Sequence, residues 1–196
     1  MIADNHRFRQ AIQQFDQANS HDPHKEMYHG KEHAKELLYA QRMTDCLLNF
    51  EPQASEVLQL AARAQHICRW TIPRDRYPMD RKGYLLWRSE LKRFHAEKTE
   101  EILIECGYDQ DSIDRVKSLI LKQRLKTDPE SQTLEDVVCL VFLDYYFGDF
   151  SAKHEPQKVV SILKKTWNKM SEKGRQKALT LHFSKEELDL INTAIN

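Results

Sequence analysis

The sequence predicts an all-α fold: a single domain over residues 1–196, built as a bundle of about eight to ten helices. Three observations predict it. Apolar residues recur at three- and four-residue spacing along almost the whole chain, as they do in helices that bury one face. The 5 glycines and 6 prolines are few for 196 residues, so long stretches run without a breaker. Strand-like alternation is absent. The length suits one domain with a sizeable core, and 40% apolar against 31% charged residues marks a soluble globular chain.

The elements follow in order. Phe8, Ile12 and Phe15 mark a first helix, and the polar, His-rich stretch 19–30 reads as a loop. Leu37, Leu38, Met43, Leu47 and Phe50 mark a second helix, broken at Glu51-Pro52. Ser55 or Pro52 opens a third, through Val57, Leu58, Leu60, Ala61, Ala64 and Ile67. Residues 71–83, with Pro73, Pro78 and Gly83, form the longest irregular segment. A fourth helix is expected over 84–106, closed by Gly107, and a fifth over 111–122. After the Thr127-Asp128-Pro129 turn, Thr133 is expected to cap a sixth helix, 134–147, apolar nearly all round and so central and buried. Two or three helices finish the chain, the last opened by a Ser184/Glu187 capping box. Within the single domain, 1–35 is an N-terminal helix and loop, 36–150 the core bundle and 151–196 the C-terminal helices.

Charge and cysteines bound the function. Lys+Arg and Asp+Glu are 30 each, so the chain lacks the basic excess of a general nucleic-acid coat or an anionic-membrane binder. No apolar run is long enough to span a bilayer. Cys46, Cys106 and Cys139 sit singly in apolar-periodic stretches and read as reduced core residues. A cytoplasmic protein is expected.

Two constellations can carry chemistry. His6, His21, His24, His29 and His33 read as solvated, although His29 and His33 stand four apart. His66 and His95 differ, because each lies in or beside an apolar-periodic helix. Glu36, Asp136 and Asp144 stand in or beside apolar helical runs, where an unpaired carboxylate is costly. Two core histidines, each hydrogen-bonded to a carboxylate, are one reading. A divalent metal (Mn, Fe, Zn or Mg) held by Glu36, His66, His95 and Asp136 is the other. The second constellation is basic. Between 69 and 93 stand Arg69, Arg74, Arg76, Arg81, Lys82, Arg88, Lys92 and Arg93, opposed only by Asp75, Asp80 and Glu90. Trp70, Tyr77, Tyr84 and Trp87 are interleaved, and Lys122, Arg124 and Lys126 form a second cluster. Guanidinium forks suit phosphate or carboxylate, and aromatic faces suit a base. This bias inside a neutral chain points to an anionic small molecule or nucleotide, with nucleic acid as a further partner class. The candidate ligand-binding residues are Arg69, Arg74, Tyr77, Arg81, Trp87, Arg88 and Lys122.

The runs Glu36-Leu37-Leu38-Tyr39-Ala40-Gln41-Arg42-Met43 and Ala61-Ala62-Arg63-Ala64-Gln65-His66-Ile67-Cys68-Arg69-Trp70 resemble the family known as domain of unknown function 4202. So do Ile72-Pro73-Arg74, Phe94-His95-Ala96-Glu97 and the stretch 134–143. The block 60–69 is more distantly similar to the helix end of HD-type phosphohydrolases, and His95-Ala96-Glu97 to their later His-containing helix. That resemblance implies an all-α HD-like bundle in which bound metals activate a water against a phosphate ester. The ligand positions differ, however. Gln65 and His66 stand where those enzymes carry His-Asp, Tyr39 stands near their first His, and Lys122-Gln123 stands near their later histidines. The expectation is a metal-dependent phosphohydrolase acting on a phosphorylated or nucleotide-like small molecule. The alternative is a non-catalytic nucleotide, RNA or anionic-ligand binder on a degenerate HD-like fold.

Overall fold

The computed structural model describes residues 6–125 and 127–195, so Lys126 of the second basic cluster lies outside the described residues. The described residues are mostly helical, as the periodicity predicts. The described residues form ten α-helices and a single two-stranded hairpin.

The hairpin is a correction to the loop expected over 19–30. After α1 (His6–Ser20), strands β1 (Lys25–Tyr28) and β2 (Lys31–Ala34) pair antiparallel, with Lys25 opposite Ala34 and Tyr28 opposite Lys31. The two turn residues, His29 and Gly30, have φ of +48° and +74°. Positive φ at both central positions matches the right-handed twist of a two-residue hairpin. Four-residue strands are too short to show alternation, and His-Gly replaces the usual Asn-Gly signal. The His29/His33 pair therefore lies on this ribbon, with His33 opposite Glu26, and not on a helix.

α2 (Lys35–Phe50) and α3 (Glu56–Ala64) follow the predicted pattern. Ser55 caps α3 by accepting the Leu58 N–H at 3.2 Å. Every residue of α3 from Leu58 to Ala64 is buried. α4 (Arg81–Glu105) begins three residues earlier than its apolar pattern, because Asp80 accepts the Gly83 N–H at 2.7 Å and starts the helix. α5 (Gln110–Ile120) is capped in the same way by Asp109. α6 spans Pro129–Val141, so the cap expected at Thr133 is corrected to Asp128, followed by proline at the first helical position. A π-helical turn over Phe142–Tyr146 interrupts the expected 134–147 run before α7 (Phe147–Ala152). α8 (Pro156–Lys169), α9 (Glu172–Ala178) and α10 (Lys185–Ile195) complete the chain. The predicted capping box is present: Glu187 accepts the Ser184 N–H at 2.7 Å, and Ser184 accepts the Glu187 N–H at 3.2 Å.

Contacts group the fold into two compact units, one of Met1–Leu48 with Pro52–Gln123, the other of Asn49–Glu51 with Arg124–Asn196. In the first, α3 packs on α1 and α5, and α4 packs on α1 and α5. Its core contains Phe15, Met43, Leu47, Leu58, Leu60, Ile67, Leu103, Ile113, Leu119 and Ile120, all essentially inaccessible. In the second, α6 packs on α8 and α9, and α8 on α10. Cys46 is half-buried, Cys68, Cys106 and Cys139 are buried, and none of the four forms a disulfide. Among the described residues no helix is long and apolar enough to cross a membrane.

Candidate functional site

The site is assembled in the first unit from four chain segments. The first turn of α2 supplies Glu36 and then Tyr39. Its position is set by the hairpin. Asp22, 1% exposed, accepts the Glu36 N–H at 3.0 Å on one oxygen and the His24 N–H at 2.9 Å on the other. The Lys35 N–H donates to the His24 carbonyl at 3.0 Å. A remote carboxylate thus performs the capping that α2 lacks from its own sequence.

The turn after α3 supplies His66 and Arg69. Cys68 takes a left-handed conformation, φ +52°, and its N–H is held by Asn19 Oδ1 at 2.9 Å. A non-glycine residue in this region is sustained only where its surroundings demand it. Here it turns the chain so that Arg69 folds back against His66. α4 supplies His95 and Arg88. Lys122, two residues beyond α5, is also left-handed, φ +57°.

Glu36, His66 and Arg69 are in mutual contact. His66 Nδ1 lies 3.5 Å from Glu36 Oε2, and Arg69 Nε lies 3.9 Å from Glu36 Oε1. Arg69 Nη1 donates toward the His66 ring, 3.1 Å from Nε2 and 3.4 Å from Nδ1. The Tyr39 ring stacks on His66 at 4.1 Å with an 11° interplanar angle. His95 lies next to this group, its ring centre 5.9 Å from that of His66. The His95 Nδ1–H donates to the Ile67 carbonyl at 2.8 Å.

Burial sets the protonation states. Desolvation pushes the Glu36 carboxyl up to about 7, against the pull of Arg69, and Asp22 adds to the rise. His66 is pushed well below its ordinary value, first by burial and then by the charges of Arg69, Arg88 and Lys122. His95 is lowered to about 3, again first by burial. Near neutral pH the two imidazoles are therefore neutral, the Glu36 carboxyl is held toward its protonated form, and Arg69, Arg88 and Lys122 bring positive charge to His66.

The structure sorts the basic and aromatic candidates. Arg69, Arg88 and Lys122 bring their charge to His66. Arg74 instead pins its own loop, donating to the carbonyls of Tyr77 at 3.0 Å, Pro78 at 2.7 Å and Asp80 at 3.3 Å. Trp87 is buried, donates its indole N–H to the Ile72 carbonyl at 2.8 Å, and has the guanidinium groups of Arg69 and Arg74 against its ring at 5.1 and 5.9 Å. The Tyr77 hydroxyl is hydrogen-bonded to Glu90, which raises its pKa. Arg81 is the exposed first residue of α4.

Of the four candidate metal ligands, Glu36, His66 and His95 are neighbours. Asp136 belongs to the second unit, where its carboxylate accepts the N–H of Ser171 at 2.7 Å, the Ser171 hydroxyl and the Gln132 amide at 3.1 Å. Ser171 in turn caps α9. Asp144, the other acid considered, is exposed in the π-helical turn. Among the described residues no three His, Cys, Asp or Glu side chains are grouped so as to hold a metal ion. Arg69 reaches the ring of His66, and the Ile67 carbonyl takes one nitrogen of His95.

Asp22, Asn19 and Tyr39 were not legible as site residues. Asp22 and Asn19 fall in a stretch with no apolar period, and each acts through a contact distant in sequence. No curated protein and no solved structure matches the chain. A family model, that of a domain of unknown function (DUF4202), matches residues 9–191, nearly the whole chain, and the protein belongs to this family.

Proposed function

We propose that the first unit binds the phosphate of a phosphorylated, nucleotide-like small molecule and cleaves its ester by acid–base catalysis. The observation that carries this reading is a neutral, half-buried histidine in contact with a carboxyl group and faced by Arg69, Arg88 and Lys122. The cations supply the charge that a phosphate and its transition state need. His66 accepts a proton from water as the water oxygen bonds to phosphorus. The protonated Glu36 gives its proton to the departing ester oxygen as the phosphorus–oxygen bond breaks. Transfer from His66 Nδ1 to Glu36 across their 3.5 Å contact restores both groups. Phosphate binding also offsets the three cations that depress His66, so the ligand itself makes His66 a stronger base.

The test has separate arms. Inorganic phosphate and a nucleotide panel are titrated calorimetrically against the wild type, Arg88→Gln and Lys122→Gln. Hydrolysis of p-nitrophenyl phosphate and of the panel is measured with and without chelator. Binding that each substitution weakens about tenfold, with chelator-insensitive turnover abolished by Glu36→Gln, is the expected result. Binding without turnover would leave a ligand-binding module. Chelator-sensitive turnover would favour the metal-dependent reading. No binding of any phosphate would end the proposal.

A further inference from the structure

The outer face of α4 has a composition that neither the core nor the reaction above uses. Packing explains the inner face, where Gly83, Trp87, Leu91 and His95 recur every four residues and are buried. Leu85 and Leu86 fall on the opposite side of the helix and are 57% and 53% exposed. Met79, one residue before the Asp80 cap, is 79% exposed, and Tyr84 is 45% exposed. The Pro78 carbonyl lies against Gly83, which holds Met79 at this end of the helix. Single exposed apolar side chains are ordinary, but a run of them over 79–86 is a patch. The patch is set among cations. Residues 76–93 hold Arg76, Arg81, Lys82, Arg88, Lys92 and Arg93 against Asp80 and Glu90. Asp80 is committed to capping α4, and Glu90 is hydrogen-bonded to the Tyr77 hydroxyl. Arg81 and Lys82 are exposed on the first turn of α4, and Lys82 stands one turn before Leu86.

We infer that the outer face of α4 docks the protein reversibly on an anionic phospholipid surface. Met79, Leu85 and Leu86 enter the boundary of the acyl chains, and Arg81 and Lys82 meet the lipid phosphates. Charge complementarity selects this occupant. A second copy of the chain, related by a two-fold axis through the patch, would set cation against cation. An anionic surface instead answers the charge and the apolar side chains together. Side chains more than half exposed project from their surroundings. A folded partner must supply a matching hole for each, whereas a fluid interface yields to them. Tyr84, with an apolar ring and a polar hydroxyl, suits the headgroup level. The chain is neutral overall, so the attraction is local to this face, and charge and apolar area act jointly. A helix that lies in the interface needs no membrane-spanning length. The docking is independent of the phosphate site, which the same helix serves from its other side through Arg88 and His95.

The experiment is co-sedimentation of the full chain with vesicles of phosphatidylcholine alone and of phosphatidylcholine with about a quarter phosphatidylserine, a content that gives the surface a negative potential. Wild type is compared with Leu85→Ser/Leu86→Ser, which removes apolar area, and with Arg81→Gln/Lys82→Gln, which removes charge. All four positions are exposed, and circular dichroism confirms that each variant is folded. The wild type is expected to bind the anionic vesicles at least about tenfold more tightly than the neutral ones, and less tightly as salt is added. Each cation near such a surface is worth roughly a factor of five, so the charge variant is expected to bind roughly 25-fold more weakly. Loss of two inserted leucines is expected to weaken binding at least about tenfold. Lys122→Gln, which alters the phosphate site, is expected to leave vesicle binding unchanged. No binding of anionic vesicles, or equal binding by wild type and both double variants, would overturn the inference. Binding lost in Lys122→Gln would move lipid recognition to the phosphate site and overturn it too. A single-stranded RNA oligomer bound in place of vesicles, and lost in the same double variants, would give the face to nucleic acid. Vesicle binding by a protein that binds no inorganic phosphate would keep this face while removing the phosphate reading.

Discussion

Replacing Glu36 by glutamine should make unit 1 more stable at alkaline pH while leaving it unchanged at acid pH. Glu36 is 8% exposed, and its carboxyl titrates near 7 in the fold against an ordinary 4.5. Between those values the unfolded chain releases this proton and the folded chain keeps it. Stability from Glu36 is therefore complete below about 4.5 and is lost as pH rises through about 7. The gap, at about 1.4 kcal/mol for each factor of ten in proton affinity, corresponds to about 3 kcal/mol. His66 and His95 act oppositely: both are depressed in the fold, so their contribution is present above 6.5 and falls on acidification. Comparing wild type with Glu36→Gln, which keeps size and neutral polarity, cancels the histidine terms. Urea unfolding at half-unit steps from pH 5 to 8.5 is the assay. It is done in a Trp167→Phe background so that Trp70 and Trp87 report unit 1 alone. The two curves should differ by less than about 1 kcal/mol at pH 5 and separate by about 3 kcal/mol above pH 8, with the variant the more stable. Parallel curves, or a wild type that gains on the variant with rising pH, would refute the argument that Glu36 is held mainly by burial.

Other outcomes follow from particular contacts. Arg63 holds Asp16 through Nε at 2.7 Å and Nη2 at 2.6 Å and reaches Thr44 at 3.2 Å, joining α1, α2 and α3. Arg63→Ala should cost about 3 kcal/mol in chemical denaturation, the loss of one partner from a mostly buried pair. A Cβ at Gly83 would stand 2.1 Å from the Pro78 carbonyl oxygen, so Gly83→Ala should displace the loop before α4 and expose it to limited proteolysis, at about 2 kcal/mol. Asp136→Ala should remove the support of Ser171 and weaken unit 2 by about 2 kcal/mol, read from Trp167 fluorescence, while phosphate titrations stay unchanged. Arg74→Ala should loosen the loop over 72–80, measured by hydrogen exchange, with a smaller effect on phosphate binding than Arg88→Gln.

The helices are legible in the sequence because their signals are local. Apolar spacing, the Ser55 cap and the Ser184/Glu187 box each act within a few residues. That Glu36, His66 and His95 stand in or beside buried helices was legible too, since polar side chains there are costly. Tertiary structure alone decided the rest, because it depends on contacts between distant segments. A carbonyl reached by Arg74 makes it a loop pin, while the turn at Cys68 makes Arg69 part of the site. Asp22, fourteen positions before Glu36, caps α2 across a hairpin too short to announce itself. Asp136 reads in sequence as a helical acid like any other, and becomes the support of α9 only through Ser171, thirty-five residues on. Periodicity reports which face of a helix is buried, but which residues share a protonation site is set by how the helices cross.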